Sequence, residues 1–259
     1  MNFCDFKLTF TALSDIGRVR SNNEDVLSIL KNQGFFALAD GIGGHKAGEV
    51  AAKEAVHFVS TSIETLFNTQ EKRRDLFELF SFNRLCVENA NNWIHHLGKN
   101  QPAFHGMGTT LCTLLFHEHF IIHSHVGDSR IYRFRNGILK QLTRDHSLKN
   151  YMLARKRIKR GLLRECAHNN VLTRAIGTQN EVDVDIHIAP VTSEDVYLMC
   201  TDGLTDQVSD KEIERVINES LDLKAASLAL IKKANKKGGR DNVTVIMVKV
   251  EYEEGHLPR

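Results

Sequence analysis

The chain has only three prolines among 259 residues and no stretch of low complexity. Interdomain linkers are commonly rich in proline, glycine and polar residues, so one domain spanning 1–259 is expected. An excess of charge of one sign is also missing. Lys and Arg number 34 against 32 Asp and Glu, and the net charge of +2 removes the electrostatic case for a nucleic-acid partner. No apolar run approaches the roughly 20 residues needed to cross a bilayer, so no membrane span is expected. The N-terminus, Met-Asn-Phe-Cys-Asp-Phe-Lys, lacks the charged-then-apolar order of a signal peptide. Cysteines are few: Cys4, Cys86, Cys112, Cys166 and Cys200 are scattered without metal-type spacing. They read as thiols of a reducing compartment, and a cytoplasmic protein is expected. What remains, 42% hydrophobic and 25% charged residues, is the composition of an ordinary globular chain.

Against that background four aspartates stand in short glycine- or asparagine-bearing frames. They are Asp40 in Asp-Gly-Ile-Gly-Gly, Asp128 in Val-Gly-Asp-Ser-Arg, Asp202 in Cys-Thr-Asp-Gly-Leu and Asp241 in Arg-Asp-Asn-Val-Thr. Each follows or opens an apolar, strand-like run. Carboxylates gathered at strand ends, with glycines that let backbone approach closely, suit hard divalent cations that take oxygen ligands. Two such cations are a usual device for splitting phosphate esters, because they activate water and neutralise the phosphate. Taken singly, Asp-Gly and Asp-Asn pairs simply mark turns.

Periodicity predicts strands at 8–13, 26–30 and 35–39, then a helix over 47–67 and a second over 73–97. In the second helix Leu76, Phe77, Phe80, Leu85, Val87, Trp93 and Ile94 are expected on the apolar side. A dense strand block follows at 109–116, 120–126, 130–134 and 138–142, the last after an Asn136-Gly137 turn. Further strands are expected at 184–188, 196–199 and 243–250, with helices at 211–217 and 224–237. Hairpin-spaced strands with helix pairs at two places in the chain suggest packed antiparallel sheets covered by helices.

The motifs occur in order: Arg20-Ser-Asn-Asn-Glu-Asp25, Asp40-Gly-Ile-Gly-Gly44, Gly106-Met-Gly-Thr-Thr110, Val126-Gly-Asp-Ser-Arg130, Leu142-Thr-Arg-Asp-His-Ser147, Leu172-Thr-Arg-Ala-Ile-Gly177, Thr201-Asp-Gly-Leu204 and Asp241-Asn-Val-Thr244. From about residue 14 to residue 250 this resembles the bacterial branch of the metal-dependent, protein phosphatase 2C-like family. The resemblance implies an α+β fold, a four-layer α-β-β-α sandwich of two antiparallel sheets flanked by helix pairs. It places a dinuclear metal centre at one end of the sheets, and it implies hydrolysis of phosphoserine and phosphothreonine in proteins by a hydroxide bridging two Mn²⁺ or Mg²⁺ ions. Carried over by residue, Asp40 would bridge the metals, the Gly41 carbonyl would complete one shell, and Asp202 with Asp241 would hold the other. Asp128 would join a third, weaker metal. Arg20 would grip the phosphate, while Glu24, Asp25 and Asn242 would support the ligands and their waters. Eukaryotic members carry a histidine after the metal-loop Asp-Gly, where this chain has Ile42. The general acid is thus left open, with a metal-bound water the simplest choice.

The segment 145–171 resembles the family's flap beside the active site and is unusually basic. Arg155, Lys156, Arg157, Lys159, Arg160 and Arg164 face only Glu165, which suits either a solvated face or a dock for acidic protein segments. His123 and His125 share one strand face, as packed histidines or as a zinc site. The expected partners are phosphorylated proteins made by a cognate serine/threonine kinase, and the expected state is a monomer. Two alternatives stand beside the phosphatase. One is a catalytically weak phosphoprotein-binding regulator, against which the full aspartate set argues. The other is an anti-sigma-factor-antagonist phosphatase, whose known members usually lack a flap and carry sensory domains.

Overall fold

Apolar residues alternating through the first strand, β1 (Phe6–Asp15), pair it along its whole length with β11 (Val243–Tyr252) from the far end of the chain. A computed structural model describes residues 6–42, 46–69, 74–155 and 171–252. The sheet begun by β1 and β11 continues through β10 (Val196–Cys200), β7 (Arg130–Arg135) and β8 (Ile138–Gln141). A second sheet runs β2 (Asp25–Leu30), β3 (Phe35–Ile42), β5 (Leu111–His117), β6 (Phe120–Val126) and β9 (Asp185–Pro190). The short β4 (Gly108–Thr109) pairs with the end of β3. Every pairing is antiparallel. Asn136 and Gly137 turn the β7–β8 hairpin with φ of 52° and 79°, the left-handed pair that a two-residue hairpin loop requires.

Between the sheets lies a dry layer in which Phe36, Leu38, Leu114, Phe116 and Ile121 meet Ile131, Tyr197, Met199, Ile246 and Val248. Phe10, Phe36, Phe116 and Tyr197 stitch the two sheets in a run of edge-to-face contacts, with centroids 5.6, 6.0 and 5.4 Å apart. The outer faces are covered by helix pairs. On the second sheet lie α1 (Lys46–Asn68) and α2 (Leu76–Asn100); on the first lie α5 (Asp210–Glu219) and α6 (Leu223–Lys236). The four layers are those implied by the resemblance. The described chain also has two shorter α-helices, α3 (Leu148–Ala154) and α4 (Asp202–Thr205).

The second helix starts later than its apolar pattern suggested, because Asp75 caps it by accepting from the amides of Phe77 and Glu78. Its phase also differs. Leu79, Asn83, Cys86, Val87, Ala90, Asn91 and Ile94 form the buried face, while Phe77, Leu85 and Trp93 are 70%, 50% and 42% exposed. Two buried asparagines explain the shift. Asn83 accepts from the hydroxyls of Thr113 and Ser124, and Asn91 binds the 177–180 loop, so polar residues occupy turns that an apolar stripe would have claimed.

Candidate metal and phosphate site

Antiparallel pairing brings the strand ends carrying the four aspartates to one rim of the sandwich. Asp40 lies near the end of β3 and faces Asp25 directly across β2. Asp128 follows β6, Asp202 follows β10 and opens α4, and Asp241 precedes β11. Asp40, Asp128, Asp202 and Asp241 line one cleft of about 800 Å³, together with Arg20, Glu24, Gly41 and Asn242. Asp25 stands behind that lining, 9% exposed. The Thr201 hydroxyl donates to its Oδ2 at 2.9 Å, while its buried Oδ1 has no partner.

Backbone contacts fix each group in place. The Asp40 carbonyl accepts from the Thr110 amide at 2.9 Å and from the Thr109 hydroxyl at 2.8 Å, and the Asp40 amide donates to Thr110 Oγ1. Gly41 lies against the backbone of Gly48 in α1, where a methyl would overlap the Gly48 carbonyl; no other residue allows that approach. Asn242 is the knot of the opposite wall. Its Oδ1 accepts from the Glu24 amide, its Nδ2 donates to the carbonyls of Ile16 and Asn22, and its own amide donates to Asp241 Oδ1. Arg20 Nη2 donates to Asp241 Oδ2 at 2.7 Å from a half-exposed position at the mouth.

This arrangement is electrostatically expensive. Burial raises the Asp40 carboxyl well above its ordinary range, and repulsion from Asp25, Asp202, Asp128 and Asp241 adds to the effect. Asp202 is raised by burial, then by Asp128, Asp206 and Asp241. Burial pushes Asp25 and Asp128 each up to about 6, with the hydroxyls of Thr244 and Thr201 opposing the rise at Asp25. Nearby carboxylates that burial and mutual repulsion penalise this strongly need countercharge, and an all-oxygen set of this kind fits Mg²⁺ or Mn²⁺ better than Zn²⁺.

The structure also gathers residues that the sequence did not connect. Among the described residues one trio of ligand-type side chains, His125, His146 and Asp185, comes within 4.8 Å of one another, closer than the cleft aspartates. Its centre is taken by a guanidinium: Arg174 Nη1 holds Asp185 Oδ1 at 2.8 Å and lies 3.2 Å from His146 Nε2, so the same nitrogen stands against two of the three side chains. The His146 ring stacks on His125 at 4.6 Å and accepts from the Gly127 amide through Nδ1. Its backbone amide donates to the Gly127 carbonyl. The trio therefore clamps the turn that carries Asp128. Burial lowers His146 to about 4 and His123 to about 3, so both are neutral packed rings rather than proton donors at neutral pH. Arg130 forks onto Asp145 at 2.9 and 2.7 Å, tying the start of the flap segment to the first sheet.

Of the basic flap, Arg155 is described: it is exposed and sits over the Tyr151 ring at 4.6 Å. Lys156, Arg157, Lys159, Arg160 and Arg164 lie outside the described residues, as do Gly43, Gly44 and His45 of the metal loop and Cys4 and Cys166. Cys86, Cys112 and Cys200 are buried free thiols. No helix of the described residues is long and apolar enough to cross a membrane.

Comparison with known proteins agrees with this geometry. The model of the protein phosphatase 2C family matches residues 18–234. The serine/threonine phosphatase stp of Listeria monocytogenes is 35% identical over 240 residues, covering 91% of this chain and 93% of that protein. The crystal structure of the Mycobacterium tuberculosis serine/threonine phosphatase PstP/Ppp superposes with a TM-score of 0.84 at 33% identity, over 94% of this chain and 99% of that one. A structure of the PstP catalytic domain in complex with two manganese ions gives 0.80 at 33% identity, over 94% and 98%. The chain belongs to the protein phosphatase 2C family.

Proposed function

We propose that this chain is a metal-dependent protein serine/threonine phosphatase. The observation that carries the reading is the convergence of Asp40, Asp128, Asp202 and Asp241 on one cleft whose mouth holds the Arg20 guanidinium. Asp40, the Gly41 carbonyl, Asp202 and Asp241 would hold two Mn²⁺ or Mg²⁺ ions, and Asp128 with Asp202 a third, weaker one. Bound there, the cations supply a water nucleophile at neutral pH and neutralise charge on the phosphate. The remaining work falls to the chain itself. Asp25 presents an unpaired carboxylate oxygen behind Asp40, and the Thr201 and Thr244 hydroxyls favour its charged form. The Asn242 knot sets Asp241 and the Glu24 backbone at a fixed separation. Ile42 lines the cleft after Gly41 and offers no proton, which leaves water as the simplest donor to the leaving alkoxide. The reading carries with it a cytoplasmic monomer that opposes a serine/threonine kinase on shared protein substrates.

The direct test is phosphate release from phosphothreonine peptides with Mn²⁺, with Mg²⁺ and with excess chelator. Turnover is expected with either cation and none with chelator; undiminished turnover after exhaustive chelation would overturn the reading.

Arg20 has its own expected signature. Its planar fork can make two charge-assisted bonds to a phosphoryl group, and losing one such bond costs about 1.5–3 kcal/mol. Arg20→Ala should therefore lower kcat/KM by about 10- to 100-fold, mainly through KM, while manganese binding persists. Wild-type kcat/KM in this variant would show that the guanidinium does not touch substrate.

A further inference from the structure

A second cavity of about 610 Å³ adjoins the catalytic cleft, and residues 173–175 with Thr178 and Gln179 line both. From this shared wall it extends along residues 181–183. The wall is held rigidly. Asn91 of α2, fully buried, accepts from the Gly177 amide at 2.8 Å and donates to the Gln179 and Asn180 carbonyls at 3.0 and 3.2 Å. Gly177 takes φ of 86°, and a methyl there would run into the Ile94 side chain. Thr178 closes the turn by donating to the Ala175 carbonyl. A substrate bound by its phosphate in the cleft has a chain that can leave past this wall, since the same residues line both cavities.

The charge along the groove has a sign. Among the described residues that line it Arg174 is the one cation, and that guanidinium is spent on Asp185 Oδ1 at 2.8 Å and on Asp183 Oδ2 at 3.0 Å. Asp183 remains 73% exposed and Glu181 is exposed, with no ion-pair partner among the described residues. One guanidinium thus faces three carboxylates. His146 and His125 are the other titratable groups beside Asp185; burial lowers both, His146 to about 4, so they do not redress the balance at neutral pH.

We propose that this groove is a substrate subsite that receives the chain flanking the phosphorylated residue and favours a Lys or Arg there, read by Glu181 and Asp183. The inference rests on the phosphatase reading, deepening it to a substrate class: phosphoproteins with a basic residue close to the phosphorylated serine or threonine. It is distinct from any docking of acidic segments on the basic flap and predicts the opposite preference.

The test compares phosphothreonine peptides that differ only in Arg or Glu placed two or three positions from the phosphoresidue, on either side. The readout is the ratio of their kcat/KM values, with p-nitrophenyl phosphate turnover reporting an intact cleft. In the wild type the Arg peptide is expected to be favoured about fivefold, the effect of one exposed ion pair, and the ratio should fall as salt rises. Glu181→Lys should bring it to unity or below, and Glu181→Gln to an intermediate value. Equal rates for the two peptides, a preference for Glu, or a ratio unmoved by Glu181→Lys would overturn the subsite. Fluorescence anisotropy of the same peptides on the intact protein reads the preference independently of turnover. Absence of any phosphate release would then count against the phosphatase reading alone.

Discussion

Asp40→Asn and Asp202→Asn are each expected to reduce phosphate release by at least about a thousandfold, equivalent to some 4 kcal/mol of lost transition-state stabilisation. Both side chains sit on the cleft floor within a group of carboxylates that burial and mutual repulsion destabilise. Replacing one by its neutral isostere removes a cation ligand and leaves the hydrogen-bonding frame of residues 109–110 and 242 intact. The same substitutions carry a second, opposite effect. In chelator burial and mutual repulsion penalise these carboxyls with no cation to offset them, so each Asp→Asn variant should melt above the wild type, by about 2–4 °C for each kcal/mol relieved. With manganese added the order should invert, because the wild type gains binding energy that the variants lack. Thermal denaturation in chelator and in manganese checks both signs. A variant that melts lower in both conditions would mean that the aspartates act as structural hydrogen-bond acceptors and not as a repelling ligand set.

Gly203→Ala is expected to be nearly as damaging without touching a charge. A methyl at Gly203 would overlap the Asn242 carbonyl oxygen and lie 2.9 Å from its carbon, with Val243 behind it. Asn242 cannot retreat, because its side chain and amide together hold Glu24, Ile16, Asn22 and Asp241. The overlap must instead push α4, and Asp202 with it, away from Asp241. The expected cost is about 2–3 kcal/mol of stability from overpacking, with activity down about a hundredfold from misplaced groups. Gly106→Ala is the control. There φ is 76° but nothing lies within 4 Å of the added carbon, so only the backbone strain of about 1–2 kcal/mol should appear. Chemical denaturation and kcat measured on both variants separate overlap from strain. Equal, mild losses in the two would show that the Gly203 contact yields easily.

Much of the site was legible because its chemistry is local. Asp40, Asp128, Asp202 and Asp241 announce themselves by carboxylates beside glycine or asparagine at the ends of apolar runs, and the strand ends do bring them to one rim. Most strands matched their patterns for the same reason: alternation and the Asn136-Gly137 turn are short-range signals. What escaped depends on pairing across long sequence separations. That Asp25 faces Asp40 is a matter of β2–β3 register, and that Thr201 supports Asp25 joins residues 176 apart. His125, His146 and Asp185 come from a strand, a loop and another strand, and no spacing links them. The phase of α2 was misread because Asn83 and Asn91 look like surface residues until their partners, Thr113, Ser124 and the 177–180 loop, are placed. The groove along residues 173–183 was not legible in the Leu172–Gly177 motif, which marks only its first half; it is a shape, made by packing that loop on α2.

The central claim is that the aspartate cleft binds the cations on which hydrolysis depends. Calorimetric titration of Mn²⁺ into chelator-stripped protein, with phosphothreonine-peptide hydrolysis followed in the same samples, tests it most directly. The account predicts two tight sites in the wild type, phosphate release that rises with their filling, and loss of both in Asp40→Asn. Full turnover before any manganese is added, or unchanged manganese binding by Asp40→Asn, would contradict it.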